Sequence, residues 1–490
     1  MLSLSIAFAC CSVWALLLTR RFAPALTTSA WLAISGAVVM VAFCWLPFGV
    51  ARVVGMPTSP VAVLVSTTIL LALEIALRPR AVTTSYAQLV SWLNVRLSRG
   101  QRFVTLAGLS FFLAHALGHY WHCLRESAGN YWSAGAAWED QSFHTALATS
   151  FAWGDNLTRL SYPHVPDWPL GYPFLADFQA GWLHAGGISL PWAFWLGNVL
   201  ASAVFLLAAA WLLKGWLRNP KIVLLALLIW HLGGGFGIAY VLPAWRDSDS
   251  LWTALQQHDY ANDWGLELSF HNLTTAVVWP MRVVLFGMAA AMAITVLLRS
   301  LLMAQERGFS GYLLAGALAG CLPLVSAHAL VVLACVIPPL AFFHRTSASL
   351  RAWGGAVLVG TAFTLPQLMW IRQQLVQSDP PFLRFSPGWT AGWWGETRLY
   401  DLLTHWSWNT GVWITLGFAG TLAAGRQVRR ETLGWWLLFP LGYLFAFQPY
   451  VFDNLKLFAA AALAAAAGCA SLIHRVWSDP RYRLRALAVL

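Results

Sequence analysis

The chain has 490 residues, 59% of them hydrophobic and 10% charged, with a formal charge of +11 and a mean hydropathy of +0.62. A soluble domain carries about 25% charged residues, so this composition excludes a water-soluble globular protein. The positive charge does not point to nucleic acid either, because 21 of the 30 Lys and Arg residues fall in alternate connections between apolar runs and leave no basic patch for it.

Taken in chain order, apolar runs are expected to cross a membrane at 2–19, 26–50, 58–77, 103–120, 191–213, 222–242 and 274–298, and again at 310–323, 325–343, 352–371, 407–425, 433–451 and 455–474. Crossing a hydrocarbon core takes roughly 20 apolar residues, and backbone groups that meet no water must bond within a helix. The fold class is therefore all-α, a polytopic transmembrane helical bundle of about 13 spans.

Alternate connections are basic: Arg20 and Arg21; Arg78, Arg80, Arg96, Arg99 and Arg102; Lys214, Arg218 and Lys221; Arg299 and Arg307. The series continues through Arg345 and Arg351, then Arg426, Arg429 and Arg430, to the tail with Arg475, Arg481, Arg483 and Arg485. The positive-inside rule makes these connections cytoplasmic. The expected location is the inner (plasma) membrane, multi-pass, with the N-terminus outside and the C-terminus in the cytoplasm. Residues 2–19 read as a retained span, since no basic segment precedes them. Fifteen of the nineteen acidic residues fall on the opposite, outer side. Orientation does not require that bias, so an outer face rich in carboxylates, His and Trp needs its own explanation.

Three outer connections are long, 121–190, 243–273 and 372–406, and they are rich in Trp, Tyr, Pro and His. Loops of that length in a compact protein are commonly functional. Short helices lying along the membrane surface are expected around 139–153 and 174–185. The inner segment 79–102 reads as a basic amphipathic helix on the lipid surface. The chain divides into N-terminal spans and the basic segment (1–102), a module of spans and long outer loops (103–474) and a basic tail (475–490). The spacing of the seven cysteines implies no disulfide framework. Gly233, Gly234, Gly235 and Gly237 lack the strand and Lys of a nucleotide loop and suggest close packing or a bent span end; Gly316 and Gly320 suggest helix packing.

The chemistry concentrates after Trp138, in WEDQSFHTALATSFAWGDN. In a helix, Asp140 and His144 stand one turn apart on one face, as a general base or metal ligand would need; Glu139 adjoins them. Asp155 follows at the helix end, and Asp177 lies beyond a Pro-rich crossing. Helix capping by such acids is the competing reading. His115, His119 and His122 share one face of the fourth span and could bind a divalent metal with Asp140, or could serve as interfacial aromatics. Asn272, Arg282, His328, Asp453, Asn454 and Lys456 sit where spans meet the outer surface. Arg282 and Lys456 suit a phosphate headgroup; an Asp453–Lys456 ion pair is the alternative.

The Glu139-Asp140 pair followed by Phe143-His144-x-Ala146 resembles the first-loop acidic motif of the GT-C class of membrane glycosyltransferases, which includes protein O-mannosyltransferases and oligosaccharyltransferase subunits. GDN at 154–156, YPFLADFQAG at 172–181, WPMRVVLFG at 279–287, LVSAHALVVL at 324–333 and FDNLKLF at 452–458 are similar to segments of GT-C-like polytopic proteins. The resemblance covers about 104 to 460, although three spans here precede a helix that in many members follows the first.

It implies a sugar donor on a polyprenyl phosphate or diphosphate and a glycan, lipid or protein acceptor on the outer face. By position, Asp140 would be the base or metal ligand, with Glu139, His144 and Asp155 beside it. Arg282, Lys456 and His328 would hold the lipid phosphate, and Asp177, Asn272, Asp453 and Asn454 the substrate. Two rival classes stay open: a lipid-linked-substrate flippase or transporter, and a non-catalytic assembly protein of the same fold.

Overall fold

The computed structural model describes residues 2–54, 60–77, 99–133, 138–257, 260, 268, 272–305, 308–344, 349–375, 383–387, 406–448 and 451–481. The described chain is predominantly helical. It begins with α1 (Leu2–Phe22), α2 (Thr28–Val54), α3 (Pro60–Leu77) and α4 (Arg99–His122). A small hairpin, β1 (Arg125–Ser127) with β2 (Asn130–Trp132), leads to α5 (Trp138–Trp153) and the single turn α6 (Asn156–Arg159). A second hairpin, β3 (Ser161–Tyr162) with β4 (Val165–Pro169), precedes α7 (Leu175–Ala185) and α8 (Leu190–Leu217). Then come α9 (Pro220–Leu232), α10 (Ile238–Arg246), α11 (Leu251–Gln257) and a π-helical turn at Leu273–Val278. The chain continues through α12 (Arg282–Met303), α13 (Ser310–Gly320), α14 (Ala327–Phe343) and α15 (Ser349–Leu375). It closes with β5 (Arg384–Phe385), α16 (Trp413–Ala423), α17 (Arg426–Leu444), β6 (Phe445–Ala446), paired with β5, and α18 (Leu455–Ser478).

Seven of these helices, α1, α2, α4, α8, α12, α15 and α18, are long and apolar enough to cross a membrane. Each coincides with an expected span. Five further apolar helices are shorter, including α9, α13, α14 and α16. The expected span 222–242 is interrupted: α9 stops at Leu232, Gly233 adopts an extended conformation, and the helix restarts at Ile238. The glycine run thus marks a break in the helix, as a bent span end would. Helices form where they were expected at 139–153 and 174–185, as α5 and α7, but α7 is enclosed by protein rather than laid along a surface. The basic segment 79–102 lies almost wholly outside the described residues, as do much of the 372–406 connection and the last nine residues of the tail. All seven cysteines are free thiols.

The chain forms two compact units, one of Met1–Leu212 and Val278–Gln377, the other of Leu213–Val277 and Ser378–Leu490. In the first, α12 is enclosed along nearly its whole length. Its small residues, among them Ala289, Ala290, Ala291 and Ala293, allow α2, α13 and α14 to pack around it. Gly316 and Gly320 bring α13 against α15, where a Cβ at Gly316 would meet the Ala356 carbonyl oxygen. In the second, α18 is enclosed by α9, α16 and α17, with Gly417, Gly420 and Gly468 lining its contact with α16.

The loop helices α5 and α7 pack together in the first unit. Phe151 of α5 meets Phe174, at the start of α7, and Phe178 at ring separations of 5.6 and 5.2 Å. A Cβ at Gly181 would collide with the Ala148 carbonyl oxygen, so the glycine is what lets the two backbones touch. Overpacking a tight contact costs about 1–3 kcal/mol. Gly181→Ala is therefore expected to lower the thermal midpoint in detergent, whereas Gly108→Ala, with open space beside it on α4, is expected to move it less; equal midpoints for Gly181→Ala and wild type would show that the close α5–α7 approach does not need the glycine.

Candidate functional site

Where α5, α7, α8 and α12 meet, a group of polar side chains is shut inside an otherwise apolar unit. Arg282 is the first residue of α12 and is 2% exposed. Its guanidinium lies over the rings of Phe194 and Phe286, 4.7 and 5.3 Å from their centroids. One terminal nitrogen donates to the Ala176 carbonyl at 2.7 Å and to Gln179 Oε1 at 3.1 Å; the other donates to the Phe194 carbonyl at 3.4 Å. These bonds fasten the first half of α7 to α8 and α12.

Asp177, fully enclosed on α7, is close enough to Arg282 for their charges to interact. Its Oδ2 accepts a hydrogen bond of 2.8 Å from His144 Nδ1 on α5, and the His144 side chain keeps 10% of its surface exposed. An ion buried in an apolar surrounding persists only when paired and hydrogen-bonded, and this pair satisfies that demand incompletely. Asp177 Oδ1, Arg282 Nε and Gln141 Nε2 are buried without a hydrogen-bond partner among the described residues. Cys123 extends the cluster, its thiol 3.8 Å from Gln141 Oε1 and near Asn198; burial pushes its pKa up to about 11. Burial thus favours the neutral thiol.

Toward the surface the His144 ring packs between Phe143 and Tyr172, 5.5 and 5.7 Å away. Phe143 in turn meets Tyr162, His164 and Tyr172 at 5.8, 6.3 and 5.3 Å. A half-exposed aromatic wall therefore covers one side of a His whose Nδ1 is committed to a carboxylate. Donation from Nδ1 leaves Nε2 as the nitrogen that can accept a proton, the same tautomer control that a triad carboxylate exerts on its His.

The other expected site residues are distributed as follows. Asp140 is exposed in the first turn of α5, one turn before His144, whose Nδ1 is directed to Asp177. Glu139 belongs to the same helical turn, and its side chain lies outside the described atoms. Asp155 is exposed and pairs with Arg159 at 2.8 Å, a contact of small energetic weight at the surface. His119 Nε2 lies 2.7 Å and His115 Nδ1 3.4 Å from the Ser202 hydroxyl; His119 Nδ1 lies 3.2 Å from the Trp279 carbonyl, and His122 stacks on Trp279 at 4.8 Å. Among the described residues no three His, Cys, Asp or Glu side chains gather into a metal-binding group. The three histidines instead tie α4 to α8 and to the segment before α12.

His328 is half-buried in the first turn of α14. Arg282, expected against a lipid phosphate, is enclosed and gives its hydrogen bonds to the protein. In the second unit Lys456 pairs with Asp453 at 2.7 Å, the alternative that the sequence left open. Asn454 donates to the Gly442 and Phe445 carbonyls. Asn272 donates to the His231 and Gly233 carbonyls at 2.9 and 3.1 Å, satisfying groups exposed by the end of α9. Thus the structure unites Asp177, His144 and Arg282, with Asp140 one turn away. The sequence reading gave no site role to Gln141, Gln179, Asn198 or Cys123; for Gln179 and Asn198 the signal was a polar side chain inside an apolar run, in LADFQAGWL and LGNVLAS.

No protein-family model, curated protein or solved structure matches this chain.

Removing one member of a buried pair strands the other charge, at a cost of about 3–5 kcal/mol. Asp177→Ala is expected to destabilise the protein by that order, and Asp177→Asn, which keeps an acceptor for His144, by less. Thermal unfolding in detergent, with Asp155→Ala as the surface control, measures both; an Asp177→Ala midpoint equal to that of the control would mean the pair does not hold α5 to α7.

Proposed function

We propose that this chain is a membrane glycosyltransferase that moves a sugar from a polyprenyl-phosphate-linked donor to a glycan, lipid or protein acceptor on the outer face. The observation that carries the reading is the His144–Asp177 pair: an imidazole oriented by a buried carboxylate, at the edge of an aromatic wall, on the loop that the GT-C resemblance makes catalytic. A base of this kind accelerates proton transfer by about 10²–10⁴-fold, and aromatic faces suit the apolar faces of a sugar ring.

In this reading the acceptor hydroxyl gives its proton to His144 Nε2. The acceptor oxygen bonds to the anomeric carbon as the bond from that carbon to the phosphate oxygen breaks, and the lipid phosphate departs with the electron pair. Asp177 stabilises the imidazolium that results. Asp140, exposed one turn from His144, is suited to hold the acceptor or a divalent ion, with Asp155 as the alternative carboxylate. Arg282 acts through α7, fixing the backbone that carries Asp177.

Purified protein in nanodiscs, given a panel of radiolabelled polyprenyl-phosphate sugars and a cell-envelope extract as acceptor, tests the reading. Wild type is expected to transfer label from at least one donor, and Asp140→Asn to transfer less. Loss of transfer in EDTA would assign Asp140 to a divalent ion; unchanged transfer would assign it to the acceptor. Well-folded wild-type protein that binds such lipids and transfers from none would contradict the proposal and favour a transporter.

A further inference from the structure

A crevice of about 270 Å³ opens in the first unit among α1, α2, α7 and α8. Its walls are apolar, with Leu4 and Phe8 from α1, Phe43 from α2, Leu183 from α7, and Leu196 and Leu200 from α8. Three of the four helices, α1, α2 and α8, are long and apolar enough to cross a membrane, so a hydrocarbon chain is the ligand that such walls suit. One polar residue lines it, however, besides Ser5: Gln179, which is 2% exposed. Its Oε1 accepts from Arg282, which leaves the amide nitrogen as a donor.

The position of Gln179 depends on Gly197. A Cβ there would stand 2.5 Å from Gln179 Oε1 and 2.9 Å from the Arg282 guanidinium, so the bare backbone of α8 leaves room for the Gln179–Arg282 contact beside the crevice. An apolar slot that ends on an enclosed hydrogen-bond donor has the form of a site for a long apolar ligand with one polar end; ligand pockets commonly combine apolar walls with a few placed polar groups.

We infer that this crevice binds a single hydrocarbon chain whose hydrogen-bond acceptor, an ester carbonyl or a phosphate-ester oxygen, is met by Gln179. Two sources supply that chemistry, the acyl chain of a membrane glycerolipid and a polyprenyl phosphate. Through Gln179, Arg282 and Asp177 the ligand's polar end is linked to the His144 pair, so occupancy bears on the geometry of that site. The crevice itself stands independently of the transfer reaction.

The test is photolabelling of the full chain in detergent with a diazirine-bearing palmitate methyl ester, mapped by mass spectrometry. Label is expected on α1 and α8 beside the crevice. Leu200→Trp, which fills it, is expected to cut labelling there about tenfold, while Leu207→Trp, on the exposed side of α8, leaves it unchanged. Gln179→Leu should weaken labelling by the ester but not by an alkyl diazirine without an acceptor. Unlabelled phosphatidylethanolamine and polyprenyl phosphate are the competing arms; suppression by either supports the site and names its source. Label spread evenly over the apolar surface, competition by neither lipid, or indifference to a folded Leu200→Trp would each overturn the inference, and none of these readouts requires sugar transfer.

Discussion

A guanidinium and a carboxylate enclosed in a chain with so few charges impose a condition that the surrounding helices must meet. Arg282 and Asp177 are both removed from water, and desolvation on the order of several kilocalories per mole accompanies each ion that is buried. The protein answers with three hydrogen bonds and two aromatic faces for Arg282 and an imidazole for Asp177. Those partners come from α5, α7, α8 and α12, so the polar cluster fixes the mutual placement of four elements that apolar contact alone would leave free to slide. Polar groups inside membrane segments are generally functional rather than structural conveniences. Among the described residues, Asp177 Oδ1 and Arg282 Nε are left without hydrogen-bond partners.

The cluster also explains the division of labour within the long loop. Helix α7 is enclosed on nearly every residue from Leu175 to Leu183, whereas α5 shows one face to the interior and one to the outside. His144 stands at the boundary, its Nδ1 facing the buried carboxylate and its ring edge meeting the aromatic wall. Asp140 is on the outer side of the same boundary. Charge that is strongly held and charge that is freely accessible are thus separated by one helical turn, as a site needs if one group is to be positioned and another is to meet a substrate.

The helical class was legible because it rests on composition, and the seven long apolar helices coincide with expected runs because hydrocarbon admits no other backbone solution. The helices α5 and α7 were also legible, from a loop rich in Trp, Tyr, Pro and His, but the enclosure of α7 was not. The pairing inside the site was not. Asp140 and His144 share a helix face in sequence, but the partner of His144 is Asp177, 33 positions away on another helix. Periodicity reports which residues share a face, not which face of a second helix meets it. Arg282 was misjudged for a related reason. Its position at a span end suggests contact with headgroups, yet Gly197 on α8 clears room for its side chain to turn inward, and nothing in the local sequence of α12 reveals that. Asn272 and Asn454 looked like substrate ligands, while their amides in fact satisfy carbonyls at helix ends, a use that sequence alone cannot distinguish from ligand binding.

The account turns on His144 as the proton acceptor held by Asp177, and the most direct measurement is the rate of sugar transfer by His144→Gln against wild type, in protein shown by its unfolding midpoint to be folded. Glutamine preserves a donor toward Asp177 but cannot take up the acceptor's proton. The account predicts a fall of about 100-fold or more at saturating donor. Transfer by His144→Gln at the wild-type rate would contradict it and leave the buried pair with a structural role alone.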